Sequence, residues 1–104
     1  MNFNMTDLVK QAQQFQQRLA QAQEQLGLKT VTASAGGGMV TVTVNGRQEI
    51  LEIQIERSVI DPDDPQLLQD LVRAAVNDAM RKAKAAIQEE MVKLTGGINI
   101  PGLF

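Results

Sequence analysis

Two stretches of this chain hold residues whose types and spacing belong to known chemistry. The first is Asp61-Pro62-Asp63-Asp64-Pro65, with three carboxylates close together. Neighbouring carboxylates serve general acid–base work or hold a divalent cation. The second is Gly36-Gly37-Gly38, the kind of run whose backbone N–H groups wrap a phosphate. A third, more diffuse set is cationic. Lys10 and Arg18 lie near the N-terminus, and Arg73, Arg81, Lys82, Lys84 and Lys93 lie in the second half.

The surroundings decide against the first two. A Walker-type phosphate loop needs Lys and then Ser or Thr after its last glycine, but Gly38 leads into Met39 and Val40. A dinucleotide fingerprint fails as well, because it must open a helix and these glycines open a strand. The aspartates precede a helix-forming run in which Pro65 suits the first turn and Asp64 suits the cap. Capping and the positive end of the helix dipole account for them at lower cost than catalysis. The chain has no His, Cys, Trp or Tyr. That removes thiol nucleophiles, the usual zinc sites and an imidazole proton shuttle. We expect no catalytic, cofactor-binding or metal-binding residue, no small-molecule substrate and no enzyme.

The elements that position the cations are legible from periodicity. From Met5 to Leu26, the residues Met5, Leu8, Ala12, Phe15, Leu19, Ala22 and Leu26 alternate spacings of three and four, a heptad seam. Glutamines fill most positions between them. Asn4 or Thr6 is placed to cap this helix and Gly27 to stop it, over a length of about 33 Å. Lys10, Gln14, Arg18, Gln21 and Gln25 recur on the face opposite the seam.

Three strands follow. Val31, Ala33 and Ala35 share one face, as do Val40, Val42 and Val44, and the glycines between supply the positive φ that a reversal needs. Asn45-Gly46 is the strongest short hairpin signal and returns the chain into a third strand. There Leu51, Ile53 and Ile55 are expected to face inward and Glu52, Gln54 and Glu56 outward. Only Arg47, at the hairpin tip, is positive. The outer face lacks the aromatic and basic residues of a nucleic-acid platform.

A second helix runs from the acidic turn to Leu94, about 45 Å. Its main apolar face is Leu68, Val72, Val76, Met80, Ala83, Ile87, Met91 and Leu94. A second strip contains Leu67, Leu71, Ala74, Ala75, Ala85 and Val92. A narrow polar stripe remains, of Asp70, Arg73, Asn77, Arg81, Lys84 and Gln88. Strands of about 17 Å cover neither helix fully. The overhangs are expected to pair with each other, and a second copy to shield the rest. Leu8, Phe15, Leu19, Val76, Met80 and Ile87 are the candidates for that packing.

The expectation is therefore one α+β domain over residues 1–104. It comprises a helix (5–26), a three-stranded antiparallel meander (30–56), a long helix (64–94) and a tail (95–104) that is flexible or docked. Nothing at the N-terminus reads as a secretory signal, and no apolar run is long enough to span a bilayer, so a cytoplasmic protein without a membrane partner is expected.

Taken together, these stretches resemble the YbaB/EbfC family of nucleoid-associated DNA-binding proteins. The likeness covers nearly the whole chain. It rests on KQAQQFQQRLAQAQEQL, GGGMVTVTVNGRQEILEIQI, IDPDDPQLLQDLVRAAVNDAMRKA and the closing GGINIPGLF. The chain lacks the basic, glycine-rich leader of many members and has IERSVID where IDPSLL is usual. The resemblance implies a tweezers-like homodimer that grips double-stranded DNA in the bacterial nucleoid, without catalysis. The contacts would fall on Lys10, Arg18, Arg73, Arg81, Lys82, Lys84 and Lys93, with glutamine amides beside them. Such groups bind phosphate without reading sequence. The rival is a dimeric protein-interaction module or scaffold that does not bind DNA. A net charge of −2 and the apolar tail favour it. Under that reading the cations serve solubility and helix ion pairs such as Asp70 with Arg73.

Overall fold

The computed structural model describes residues 4–94. The tail, expected to be free or docked, lies outside the described residues. In chain order the elements are α1 (Met5–Leu28), β1 (Thr30–Ala35), β2 (Val40–Asn45), β3 (Ile50–Ile55), a 3₁₀ turn at Arg57–Val59, and α2 (Pro65–Leu94). The strands form one antiparallel meander in the order β1-β2-β3. The expected helix, meander and long helix are all present.

Both helix starts are closed as their sequences dictate. The Asn4 side chain accepts from the Thr6 backbone N–H at 3.1 Å, and Asp64 Oδ1 accepts from Leu67 N–H at 3.3 Å. Asp61 Oδ1 accepts from Asp63 N–H at 2.9 Å. Two of the three carboxylates thus satisfy backbone donors of the turn and cap.

The core is a layer of valines under a ridge of alanines. Val40, Val42 and Val44 are fully buried, and Ala75, Ala79 and Ala83 meet them from α2. Small residues at i, i+4 and i+8 let the helix axis approach the sheet closely. Leu68, Leu71, Val72, Val76 and Met80 flank the ridge, half-buried. The expected apolar face is therefore rotated. Ala79, absent from the sequence reading, lies at its centre, while Leu67, Ala74, Ala85 and Val92 of the second strip are exposed. On the other side of the sheet, Thr32 shares a hydroxyl hydrogen bond with Thr43 at 3.2 Å, and Ser34 with Thr41 at 3.1 Å.

Four expectations need correction. First, α1 continues through Gly27 to Leu28, and Gly27 is buried inside the helix and does not stop it. Second, Asn45-Gly46 opens the expected hairpin into β3, but its loop is longer than the two residues that such a dipeptide favours. Asn45 N–H donates to Glu49 C=O across a three-residue loop, and the positive φ falls on Gln48 (62°). Gly46 is needed for a different reason: a Cβ there would collide with the Leu26 carbonyl oxygen of α1. Gly36, Gly37 and Gly38 do take positive φ, as a reversal requires.

Third, Ile53 and Ile55 of β3 face the expected way but are not buried, and Leu51, expected beside them, falls at the register shift with Ile50 taking the place opposite Val44. Ile53 pairs with Val42 and Ile55 with Val40. Yet α2 packs on β1 and β2 and leaves β3 at the margin. Ile50, Leu51, Ile53 and Ile55 stay 45, 53, 42 and 36% exposed. Fourth, the helices do not pair along the seam within one chain. The molecule measures 76 × 20 × 17 Å because α1 extends away from the sheet. The last turns of α1 touch the body beside Gly46, Arg47 and Glu90. Met5, Leu8 and Phe15 are left 77, 43 and 52% exposed.

Candidate nucleic-acid interface

Cations that contact a polyanion must reach solvent, and the seven sequence candidates do. Lys10 and Arg18 are exposed on α1, two turns apart on its polar face. Arg73, Arg81, Lys82, Lys84 and Lys93 are exposed on α2. Along α2 the stripe Arg73, Asn77, Arg81, Lys84 and Gln88 stays uncovered while the alanine ridge is buried.

Carboxylates engage four of the seven. Arg73 Nη2 lies 3.0 Å from Asp70 Oδ1, and Arg81 Nη2 lies 3.4 Å from Asp78 Oδ1. Lys82 Nζ reaches Asp78 Oδ2 at 3.5 Å, and Lys93 Nζ reaches Glu90 Oε1 at 3.7 Å. Glu90 also meets Lys29 of the α1 junction at 3.5 Å. The four pairs within α2 join residues three or four apart whose side chains remain at least a third exposed, and each is worth about 0–1 kcal/mol. A phosphate oxygen can replace the carboxylate at little cost, so the pairs lower affinity without closing the surface. Lys10, Arg18 and Lys84 form no ion pair among the described residues.

The packing candidates divide. Val76 and Met80 sit against the core cluster. Ile87 lines a cleft between α2 and the β2–β3 hairpin tip. Leu8 and Phe15 are uncovered, and Leu19 is half-buried. Among the described residues, no group of His, Cys, Asp or Glu is arranged to hold a metal ion. No helix among them is long and apolar enough to cross a membrane.

Sequence reasoning passed over Arg47, which it placed at a hairpin tip and gave no role. Its side chain lies across Gly27, where a Cβ would come 3.0 Å from Nε and 3.1 Å from Cγ. A glycine inside a helix costs about 1 kcal/mol relative to alanine. The signal that was available was therefore Gly27 itself, an expensive residue that something must cross.

The sequence profile of the YbaB/EbfC DNA-binding family matches residues 1–98. The chain belongs to that family. YbaB/EbfC relatives match along nearly their whole length. A nucleoid-associated protein of Thermoanaerobacter pseudethanolicus is 54% identical over 102 residues, covering 98% of this chain and 92% of the relative. Another, from Syntrophobacter fumaroxidans, is 55% identical over 95 residues, covering 91 and 86%. In fold, the chain is similar to the crystal structure of an uncharacterized protein from Helicobacter pylori. The TM-score is 0.74 at 22% identity, over 90% of this chain and 99% of that one. Membership of YbaB/EbfC places the chain among DNA-binding proteins and not among enzymes.

Proposed function

We propose that this protein binds double-stranded DNA as a homodimer, chiefly through phosphates and with little sequence preference, and so helps to organise the nucleoid and regulate genes in the cytoplasm. Membership of a DNA-binding family carries the reading. The names of its relatives, nucleoid-associated proteins, agree with it. The exposed cations of α1 and α2 are the groups proposed to meet phosphate oxygens, with Asn77, Gln88 and the α1 glutamines donating beside them. Neither helix presents a recognition motif, and the sheet offers no aromatic platform, so backbone contacts dominate.

The homodimer reading rests on uncovered apolar surface. The β3 face and the α1 seam are each open in a single chain. Contiguous patches of this kind mark interfaces, and a two-fold pair is the commonest way to close them. Two copies also double the number of cations that can address one duplex.

With about four to six phosphates neutralised per dimer, the slope of log affinity against log salt is about −4 to −5. Binding then weakens several hundred-fold, or roughly a thousand-fold at the upper end, between about 50 and 200 mM salt. A salt titration on unrelated duplexes tests the reading. Steep dependence with equal affinities supports it, and no binding at about 50 mM salt overturns it. Exchanging Arg81 and Lys84 together for Glu should abolish binding while the dimer persists. The second reading, a protein-interaction scaffold, is favoured by one observation: carboxylates already engage Arg73, Arg81, Lys82 and Lys93. Absence of duplex binding with an intact dimer would select it.

A further inference from the structure

The β2–β3 hairpin tip and the last turns of α2 enclose an open cleft of about 310 Å³. It is lined by Gly46, Arg47, Gln48, Lys84, Ile87, Gln88 and Met91. Ile87 and Met91 supply its apolar part, and four side chains at its margin are hydrogen-bond donors. No carboxylate lines it, although Asp and Glu outnumber Lys and Arg by 12 to 10 in the chain. Carboxylates hold five cations elsewhere: Lys29, Arg73, Arg81, Lys82 and Lys93. Arg47 and Lys84 have no such partner among the described residues, and they line the same cleft.

The tip that carries Arg47 is fixed from several sides. Asn45 Oδ1 accepts from Arg47 N–H at 2.9 Å and from Glu49 N–H at 3.0 Å. Gly46 lets the loop approach the Leu26 carbonyl, and Gly27 leaves room for the arginine stem. Two glycines and a buried asparagine thus hold one exposed arginine between the end of α1 and the cleft. From the geometry we infer that this cleft is an anion seat for one phosphodiester group of a nucleic-acid backbone. Arg47 grips two phosphate oxygens with its planar fork, Lys84 adds a point charge, and Gln48 and Gln88 donate from the rim. The seat continues the α2 stripe, since Lys84 and Gln88 belong to both. It rests on the DNA-binding reading and adds to it a defined contact at the base of α1.

Arg47 has a second role in view. The last turn of α1 has no basic residue of its own, and a cation near a helix C-terminus is stabilising. The experiment must separate the two. Duplex binding is measured by fluorescence anisotropy across a salt series for the whole chain and for Arg47→Gln, Arg47→Lys, Lys84→Gln and Arg57→Gln, with a thermal melt of each. The proposed homodimer holds the seat twice, so its loss reduces the salt slope by about 0.9 where one seat engages the duplex and about 1.8 where both do, weakening binding about eight-fold or about sixty-fold at 0.1 M salt. Arg47→Gln and Lys84→Gln are each expected to do so. Arg47→Lys should keep the melting temperature of the parent yet lose affinity, and Arg57→Gln, away from the seat, should change neither slope nor affinity.

Several outcomes overturn the seat. If the parent binds duplex and the Arg47 and Lys84 variants keep its slope, the seat is wrong and the DNA reading stands. If Arg47→Gln lowers only the melting temperature, Arg47 serves the end of α1 alone. If polyglutamate binding is lost in Lys84→Gln while duplex binding is not, the occupant is an acidic protein segment. If the parent binds no duplex at all, the seat falls together with the reading beneath it.

Discussion

Replacing Ile53 by Lys tests the proposed pairing of two chains, because Ile53 is at the centre of β3 and is not needed to hold one chain together. It is opposite the buried Val42 but keeps 42% of its own surface exposed. Full burial of an isoleucine side chain is worth about 1.5–3 kcal/mol, so covering the remaining share contributes about 0.6–1.3 kcal/mol per chain. A two-fold interface contains the residue twice, and the loss is about 1–2.5 kcal/mol, roughly five- to seventy-fold in dimer affinity. A lysine buried without a partner adds to this, so these figures are lower bounds. The exposed parts of Ile50, Leu51, Ile53 and Ile55 together amount to nearly two whole side chains per subunit. Covering them in both copies gains about 5–10 kcal/mol, against about 4–15 kcal/mol of lost translational and rotational freedom. The β3 face therefore only breaks even, and the α1 seam must contribute the surplus. Sedimentation velocity over a concentration series, with circular dichroism as a check on folding, measures the effect. Ile53→Lys and Phe15→Gln should both stay folded and shift toward the single chain. An unchanged dimer in both variants refutes the placement of the interface, and a parent chain that stays single at tens of micromolar refutes the homodimer.

Three further outcomes concern the fold. Gly46→Ala pushes a methyl group into the Leu26 carbonyl and should cost about 1–3 kcal/mol, with a drop of at least about 4 °C in melting temperature; a change too small to measure would mean that the hairpin does not approach α1 as described. Ala79→Leu overfills the ridge against the valine layer and should cost a similar amount, read from urea unfolding, whereas Ala85→Leu on the exposed side should stay within about 0.5 kcal/mol. Asn45→Ala strips the acceptor from two backbone N–H groups and should destabilise by about 1–3 kcal/mol, while Asn45→Asp, which retains that acceptor beside Glu49, should lose less.

Much of this architecture is written locally in the chain. The Val-Thr alternation from Val40 to Val44 fixes which face of β2 is buried, and Asn4 and Asp64 mark both helix starts, because caps and pleats depend on neighbours in sequence. What local pattern does not encode is the lateral position of α2. Periodicity gave its apolar side but not its centre, since alanine carries little hydropathy and Ala79 is chosen for closeness to the sheet. The same limit applies to β3: alternation shows that Ile53 and Ile55 point inward and is silent on whether a helix reaches them. Gly46 was a turn by its dipeptide and is a contact by its surroundings, a distinction between residues distant in sequence. The cations on the two helices could be located from the sequence, as could the Asp70–Arg73 pair, because residues three or four apart are neighbours on any helix; the convergence of Arg47 with Lys84 needed the fold.

The slender attachment of α1 also has a mechanical side. The helix rises about 36 Å from its last residue to its first, and its connection to the body is a hairpin tip and an exposed ion pair between Lys29 and Glu90. Such a rod is a lever whose fulcrum lies at Gly27 and Lys29. A tilt of about 10° there sweeps Met5 through about 6 Å, by the helical rise alone. In the proposed homodimer, the span between two such levers is set by the orientation of a few residues at their roots, so small changes in that joint govern how wide an object the pair can embrace.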